Sequence, residues 1–91
     1  MNEALPIVTL YTTRFCPFCV RAKMLLEAKK VAYHEIAVDH DAEQRQIMQR
    51  LSGQRTVPQI WIRDQHVGGC DELYQLEREG GLDTMLGVNN D

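Results

Sequence analysis

No stretch of the chain approaches the roughly 20 consecutive apolar residues that a membrane-spanning helix needs, so no membrane insertion is expected. Basic residues are also in short supply. Ten Lys and Arg face thirteen Asp and Glu, for a net charge of −3, and no basic run could offset a phosphate backbone, which argues against a nucleic-acid partner. Residues 1–6 have neither a basic n-region nor a long apolar h-region, so no signal peptide is read there. Cysteine is scarce as well. Three residues are too few, and odd in number, for the disulfide framework of a small secreted domain. A reducing, cytoplasmic setting is expected, and in it a close cysteine pair is catalytic rather than structural. Internal repeats, linkers and low-complexity tracts are absent.

What is present suffices for one domain spanning residues 1–91, with an ordered core over about 5–87. The apolar content of 44% is ordinary for a globular protein. Residues 7–11 form a continuous apolar run, the mark of a strand covered on both faces. Pro17 suits the first position of a helix, where its missing N–H costs nothing. Ala22, Leu25 and Leu26, with Phe18 one turn earlier, make its apolar stripe, and Lys29 and Lys30 close it at the negative end of its dipole. Residues 31–38 read as a second, less apolar strand at a sheet edge. Asp39 or Asp41 caps a second helix, with Gln44 placed for a capping box to Asp41, Ile47 and Leu51 on its buried face, and Gly53 as its stop. Residues 59–62 are a third strand, and Arg63-Asp64-Gln65 turns into a short fourth at His66-Val67. Gly68-Gly69 leads to a third helix from Cys70 or Asp71, with Leu73 and Leu76 inward and Gly80-Gly81 ending it. Asp83 caps a last helical turn carrying Met85 and Leu86, and residues 88–91 are expected to fray. The order βαβαββα predicts an α/β fold with one mixed four-stranded sheet flanked by helices. Its βαβ unit is parallel and right-handed, and its later ββ pair antiparallel.

The chemistry concentrates in Cys16-Pro17-Phe18-Cys19. Two thiols three positions apart can close and reopen a small disulfide ring, and the first lies where a strand hands over to a helix N-terminus. Three cations, Arg14, Arg21 and Lys23, and no carboxylate lie between Thr12 and Leu26. Helix end and cations together predict a lowered pKa for Cys16, while Cys19, one turn inside, is expected to be buried with a near-normal or raised one. Ionising a thiol that is about 3% thiolate at pH 7 gains roughly thirtyfold. Nucleophilicity falls with pKa, and the loss is about as large if the pKa drops to ~5. A low pKa therefore helps chiefly by making Cys16 a good leaving group, which favours rapid exchange over tight disulfide storage. The other uses of the motif fit less well. Structural zinc takes four ligands, usually from a second paired motif, whereas His34, His40, His66 and Cys70 are scattered singly. Haem attachment needs a histidine where Val20 stands. No metal site is expected.

Thr56-Val57-Pro58 precedes the third strand, and by itself it marks a strand start. Taken with Cys16-Pro17-Phe18-Cys19 and Gly68-Gly69-Cys70-Asp71, in order and register from Ile7 to Leu86, it makes the chain resemble a dithiol glutaredoxin of the bacterial glutaredoxin 3 type. The resemblance implies a thioredoxin fold with Val57-Pro58 cis and beside Cys16. It also implies a glutathione-dependent thiol–disulfide oxidoreductase that reduces protein disulfides and protein–glutathione mixed disulfides, with Cys16 as nucleophile and Cys19 as resolving thiol. Glutathione is then a co-substrate and no cofactor is bound. The implied groove comprises Arg14, Phe18, Arg45, Thr56, Val57, Pro58, Gly69, Cys70 and Asp71. In it the Val57 backbone pairs with the tripeptide in a one-residue strand addition. The Cys70 and Asp71 N–H groups meet the γ-glutamyl carboxylate, Asp71, or less favourably Glu72, meets its ammonium, and Arg45 meets the glycine carboxylate. From the residues alone Arg45 reads as a solvated helix cation. The chain departs from the family at Thr13, where lysine is common and Arg14, one place later, is expected to supply the charge, and at Phe18, where tyrosine is common. Cys70 reads either as a small residue packed before a helix or as a third redox position lining the groove. The implied partners are disulfide-bonded and glutathionylated proteins, ribonucleotide reductase among the candidates, and indirectly glutathione reductase; a monomer is expected. Two alternatives stand beside this: a redoxin served by thioredoxin reductase, and a glutathione-ligated iron–sulfur carrier, against which Pro17 counts.

Overall fold

A computed structural model describes residues 6–87; the leader reading on residues 1–5 and the frayed end expected at 88–91 lie outside the described residues. Eight elements follow in order: β1 (Val8–Thr12), α1 (Pro17–Ala28), β2 (Tyr33–Ala37), α2 (Ala42–Ser52), β3 (Gln59–Ile62), β4 (Gln65–Gly68), α3 (Cys70–Arg78) and α4 (Gly81–Leu86). The sheet order is β2-β1-β3-β4. β1 runs parallel to β2 and antiparallel to β3, and β3 is antiparallel to β4. The expected mixed sheet is therefore present, with one short helix more than the βαβαββα pattern. Among the described residues no helix is long and apolar enough to cross a membrane.

Strand alternation divides the core in two. Val8 and Leu10 of β1 and Ile60 and Ile62 of β3 meet Ala22, Leu26, Leu73 and Leu82 from α1, α3 and α4. On the opposite face Tyr11 packs with Val38 and Met48, and Trp61 and Val57 lean against them. β1 is covered on both sides, with Val8, Leu10 and Thr12 buried on one face and Tyr11 on the other, whereas β2, an edge strand, has no buried residue.

Four local expectations give way to tertiary packing. Phe18 is 52% exposed and does not join the stripe of Ala22 and Leu26. α2 starts as read, with Asp41 Oδ1 accepting the Gln44 N–H at 3.0 Å, and stops at Gly53 (φ 71°). Its buried residue, however, is Met48, while Leu51 is 60% exposed. The place between Tyr11 and Val38 takes a side chain about 100° around the helix from the Ile47/Leu51 line, and an unbranched thioether suits an irregular gap beside a ring. α1 ends at Ala28, and Lys29 spends its charge across elements: Nζ lies 2.8 Å from Glu77 Oε1 and 2.9 Å from Asp83 Oδ1, joining α1 to α3 and α4. Asp83 consequently sits inside α4, facing Lys29, and Gly80 holds the cap position.

Candidate active site

β1 delivers the chain to Thr12, a three-residue loop follows, and Cys16 occupies the N-cap of α1 with extended backbone (φ −126°, ψ 103°). Its Sγ accepts the Cys19 N–H at 3.1 Å, and its carbonyl accepts the Val20 N–H at 3.1 Å. A sulfur thus takes the place usually held by a serine or aspartate oxygen at a helix start. An aimed N–H and the positive end of the helix converge on this sulfur. The loop is pinned from outside by the Arg14 N–H, which donates to Asp39 Oδ2 at 2.8 Å. The Arg14 guanidinium lies 5.7 Å from the centre of the exposed Phe15 ring.

Cys19 is 1% exposed. Burial pushes its thiol well above the ordinary range, and the hydrogen bond with Cys16 adds to this. The Thr13 backbone and the Lys23 ammonium pull the other way without overturning it. All three cysteines carry free thiols. The pair is therefore asymmetric, with one sulfur partly exposed and held by a donor and the other protonated beneath it.

The Val57–Pro58 peptide is cis, and the Val57 carbonyl oxygen lies 4.0 Å from Cys16 Sγ. From this point a cleft of about 280 Å3 runs over Phe18, Thr56, Val57 and Pro58 to Gly69, Cys70, Asp71 and Glu72 at the start of α3. The turn into α3 needs glycine at position 68. The backbone there has φ 119°, and an added Cβ would lie 3.0 Å from Glu72 Cγ. Glu72 is committed to the helix start, since its Oε1 accepts the Gly69 N–H at 2.8 Å. Cys70 and Asp71 supply the first N–H groups of α3, which no helix carbonyl can reach. Cys70 is 4% exposed; burial raises its thiol, with Arg21 acting against this.

Of the residues expected to form a groove, Phe18, Thr56, Val57, Pro58, Gly69, Cys70 and Asp71 come together in this cleft. Arg14 and Arg45 lie elsewhere. Arg14 borders a separate cavity with Lys23, Glu35, Asp39 and His40, and Arg45 Nη1 donates to the Arg55 carbonyl at 3.5 Å. Cys70 is packed at the start of α3 and also lines the cleft. The structural use of Glu72 had a visible signal, a glutamate at the third helical position. The part played by Gln59 and His66 behind the cleft had none, because their meeting depends on the β3–β4 register. Among the described residues no group of three or more His, Cys, Asp or Glu side chains is placed to hold a metal ion.

Comparison with known proteins agrees with this geometry. The family model described as Glutaredoxin matches residues 8–67. A glutaredoxin of Pseudomonas aeruginosa is 54% identical over 82 residues, covering 90% of this chain and 98% of the relative. Glutaredoxin 3 of Escherichia coli is 51% identical over 79 residues, covering 87% and 95%. Among solved structures, a buckwheat glutaredoxin–glutathione complex superimposes with a TM-score of 0.83 at 29% identity, over 90% of this chain and 77% of that one. With Cys16 and Cys19 as its redox pair, the chain belongs to the glutaredoxin family, the glutathione-dependent thiol–disulfide oxidoreductases.

Proposed function

We propose that Cys16 is the nucleophile and Cys19 the resolving thiol, and that the cleft from Val57 to Asp71 holds glutathione. The observation that carries this is the arrangement of the two sulfurs: Cys16 Sγ is accessible and receives the Cys19 N–H at 3.1 Å, while the Cys19 thiol is buried.

With a glutathionylated protein, the Cys16 thiolate attacks the glutathione sulfur. The Cys16–glutathione disulfide forms, the bond between the protein's sulfur and the glutathione sulfur breaks, and the departing protein thiolate takes a proton from water. A second glutathione thiolate then attacks the bound glutathione sulfur and expels the Cys16 thiolate, so that glutathione disulfide carries the oxidation away. With a protein disulfide, Cys16 forms a mixed disulfide with the protein. Cys19 then loses its proton, attacks the Cys16 sulfur and releases the reduced protein, leaving Cys16–Cys19 oxidised. Two glutathione molecules restore the dithiol.

In the cleft the Val57 backbone would pair with the tripeptide's cysteinyl unit. The Cys70 and Asp71 N–H groups would receive the γ-glutamyl carboxylate. Asp71 is the carboxylate for the γ-glutamyl ammonium, since Glu72 is occupied by the Gly69 N–H. Arg45 would reach a glycine carboxylate only by leaving the Arg55 carbonyl. The setting is the reducing cytoplasm, and the targets are disulfide-bonded and glutathionylated proteins.

Two cysteine variants, each supplied with glutathione plus its reductase or with thioredoxin reductase, test the assignment. Cys16→Ser is expected to lose both routes. Cys19→Ser is expected to keep deglutathionylation and lose protein-disulfide reduction, with glutathione as the effective reductant. Equal loss of deglutathionylation in both variants, or reduction by the flavoenzyme alone, would refute it.

A further inference from the structure

Behind the cleft, on the sheet face covered by α2, a glutamine is almost fully buried. Gln59 opens β3, directly after Pro58, and every polar atom of its side chain is engaged. Nε2 donates to the Thr56 carbonyl at 3.0 Å and approaches Thr56 Oγ1 at 3.2 Å. Oε1 lies 2.7 Å from His66 Nε2. The Thr56 carbonyl can only accept, so the amide nitrogen must face it, and the amide oxygen must face His66. That oxygen can only accept in turn, so His66 Nε2 carries a proton. His66 is held as well, with its ring 4.6 Å from that of Trp61, its partner across the β3–β4 ladder. The β3–β4 register shifts between Ile60 and Trp61, just before this pair. A directed chain therefore runs from β4 through Gln59 to Thr56, the residue before Val57.

We infer that Gln59, oriented by His66, is a positioning residue that fixes the Thr56–Val57 backbone in the glutathione cleft. The inference rests on the proposed groove. Closing the Thr56 carbonyl onto Gln59 removes it as a competing acceptor and anchors the segment. Val57 is then left as the backbone unit offered to the ligand, its carbonyl 4.0 Å from Cys16 Sγ. A peptide-like ligand gains from such an edge only if the edge is already ordered, because ordering it at the moment of binding would cost affinity. Neither Gln59 nor His66 touches the reacting sulfur, so the consequence falls on recognition and not on thiol chemistry.

The test compares wild type, Gln59→Met, His66→Phe and the double variant on one peptide carrying either a glutathione or a cysteine mixed disulfide. Wild type is expected to prefer the glutathione adduct. Gln59→Met is expected to raise KM for that adduct about three- to tenfold, the worth of one hydrogen bond. Turnover number, iodoacetamide alkylation of Cys16 and KM for the cysteine adduct stay within about twofold. His66→Phe, which keeps a ring on Trp61, is expected to move the glutathione KM in the same direction but less. The double variant should be no worse than Gln59→Met alone, as for members of one chain. Ring nitrogen shifts in wild type should show His66 protonated at Nε2. An unchanged preference for glutathione in Gln59→Met, an equal rise in KM for both adducts, or an Nδ1–H tautomer overturns the inference. If Gln59→Met does not fold, an unchanged glutathione KM in His66→Phe overturns it instead. A wild type with no preference between adducts would fail the groove itself, a result distinguishable from these.

Discussion

The backbone N–H of Cys19 points at the sulfur of Cys16 from 3.1 Å, while the thiol of Cys19 is turned into the core. One residue thus serves the site twice, through its amide as a donor to the Cys16 sulfur and through its side chain as a reserve thiol. The two duties separate because the N–H projects toward the helix start and the side chain toward the buried face of α1, where Ala22 and Leu26 continue the line.

That separation predicts selective labelling. With limited iodoacetamide at neutral pH, the reduced native chain should take one label, at Cys16. Cys19 and Cys70 are buried and their thiols are raised by burial. In denaturant all three should react. Peptide mass spectrometry of the native reaction reads this directly, and comparable early labelling at Cys19 or Cys70 would contradict it.

Stability should depend on pH at both ends, with opposite signs. Burial opposes the charged form of Glu35, but the Thr12 hydroxyl at 2.7 Å and Lys23 Nζ at 2.9 Å outweigh it, so this carboxyl titrates below its ordinary 4.5. The stability it contributes is present above that value and is lost as pH falls through the folded one. Glu35→Gln should therefore flatten the acid limb of a plot of Tm against pH. Cys19 shifts upward from 9.0. Its contribution is complete below that value and declines as pH rises toward the folded one, so the reduced protein should lose Tm above about pH 9. Cys19→Ser should lose less. Parallel curves for variant and wild type at either end would remove the corresponding assignment.

The packing of α2 discriminates between two neighbouring apolar residues. Met48→Ala should destabilise the fold by about 2–5 kcal/mol, as a core truncation does. Leu51→Ala should stay within about 0.5 kcal/mol, as an exposed change does. Urea denaturation midpoints decide it, and the reverse order would mean that α2 is rotated.

Much of the architecture was legible along the chain because local rules and tertiary packing agree there. A two-sided apolar run must be covered on both faces, Pro17 can only open a helix, Asp41 and Gly53 bracket another, and glycines at 68 and 69 admit a chain that turns sharply into α3. The cysteine pair could be placed at a strand-to-helix junction from these alone. The failures share one cause. Which side of α2 is buried, whether Phe18 faces in or out, and whether Lys29 serves its own helix or two others all depend on what stands opposite, and periodicity carries no record of that.

By itself the sequence determined the order of elements, the redox pair and which cysteine heads the helix, since these follow from residue types at close spacing. Only the tertiary structure decided that Val57 lies beside Cys16, that residues 57 and 70 border one cleft, and that His66 meets the glutamine behind the strand. Those relations join residues 7 to 41 positions apart, and the packing that brings them together is a property of the folded chain rather than of any stretch within it.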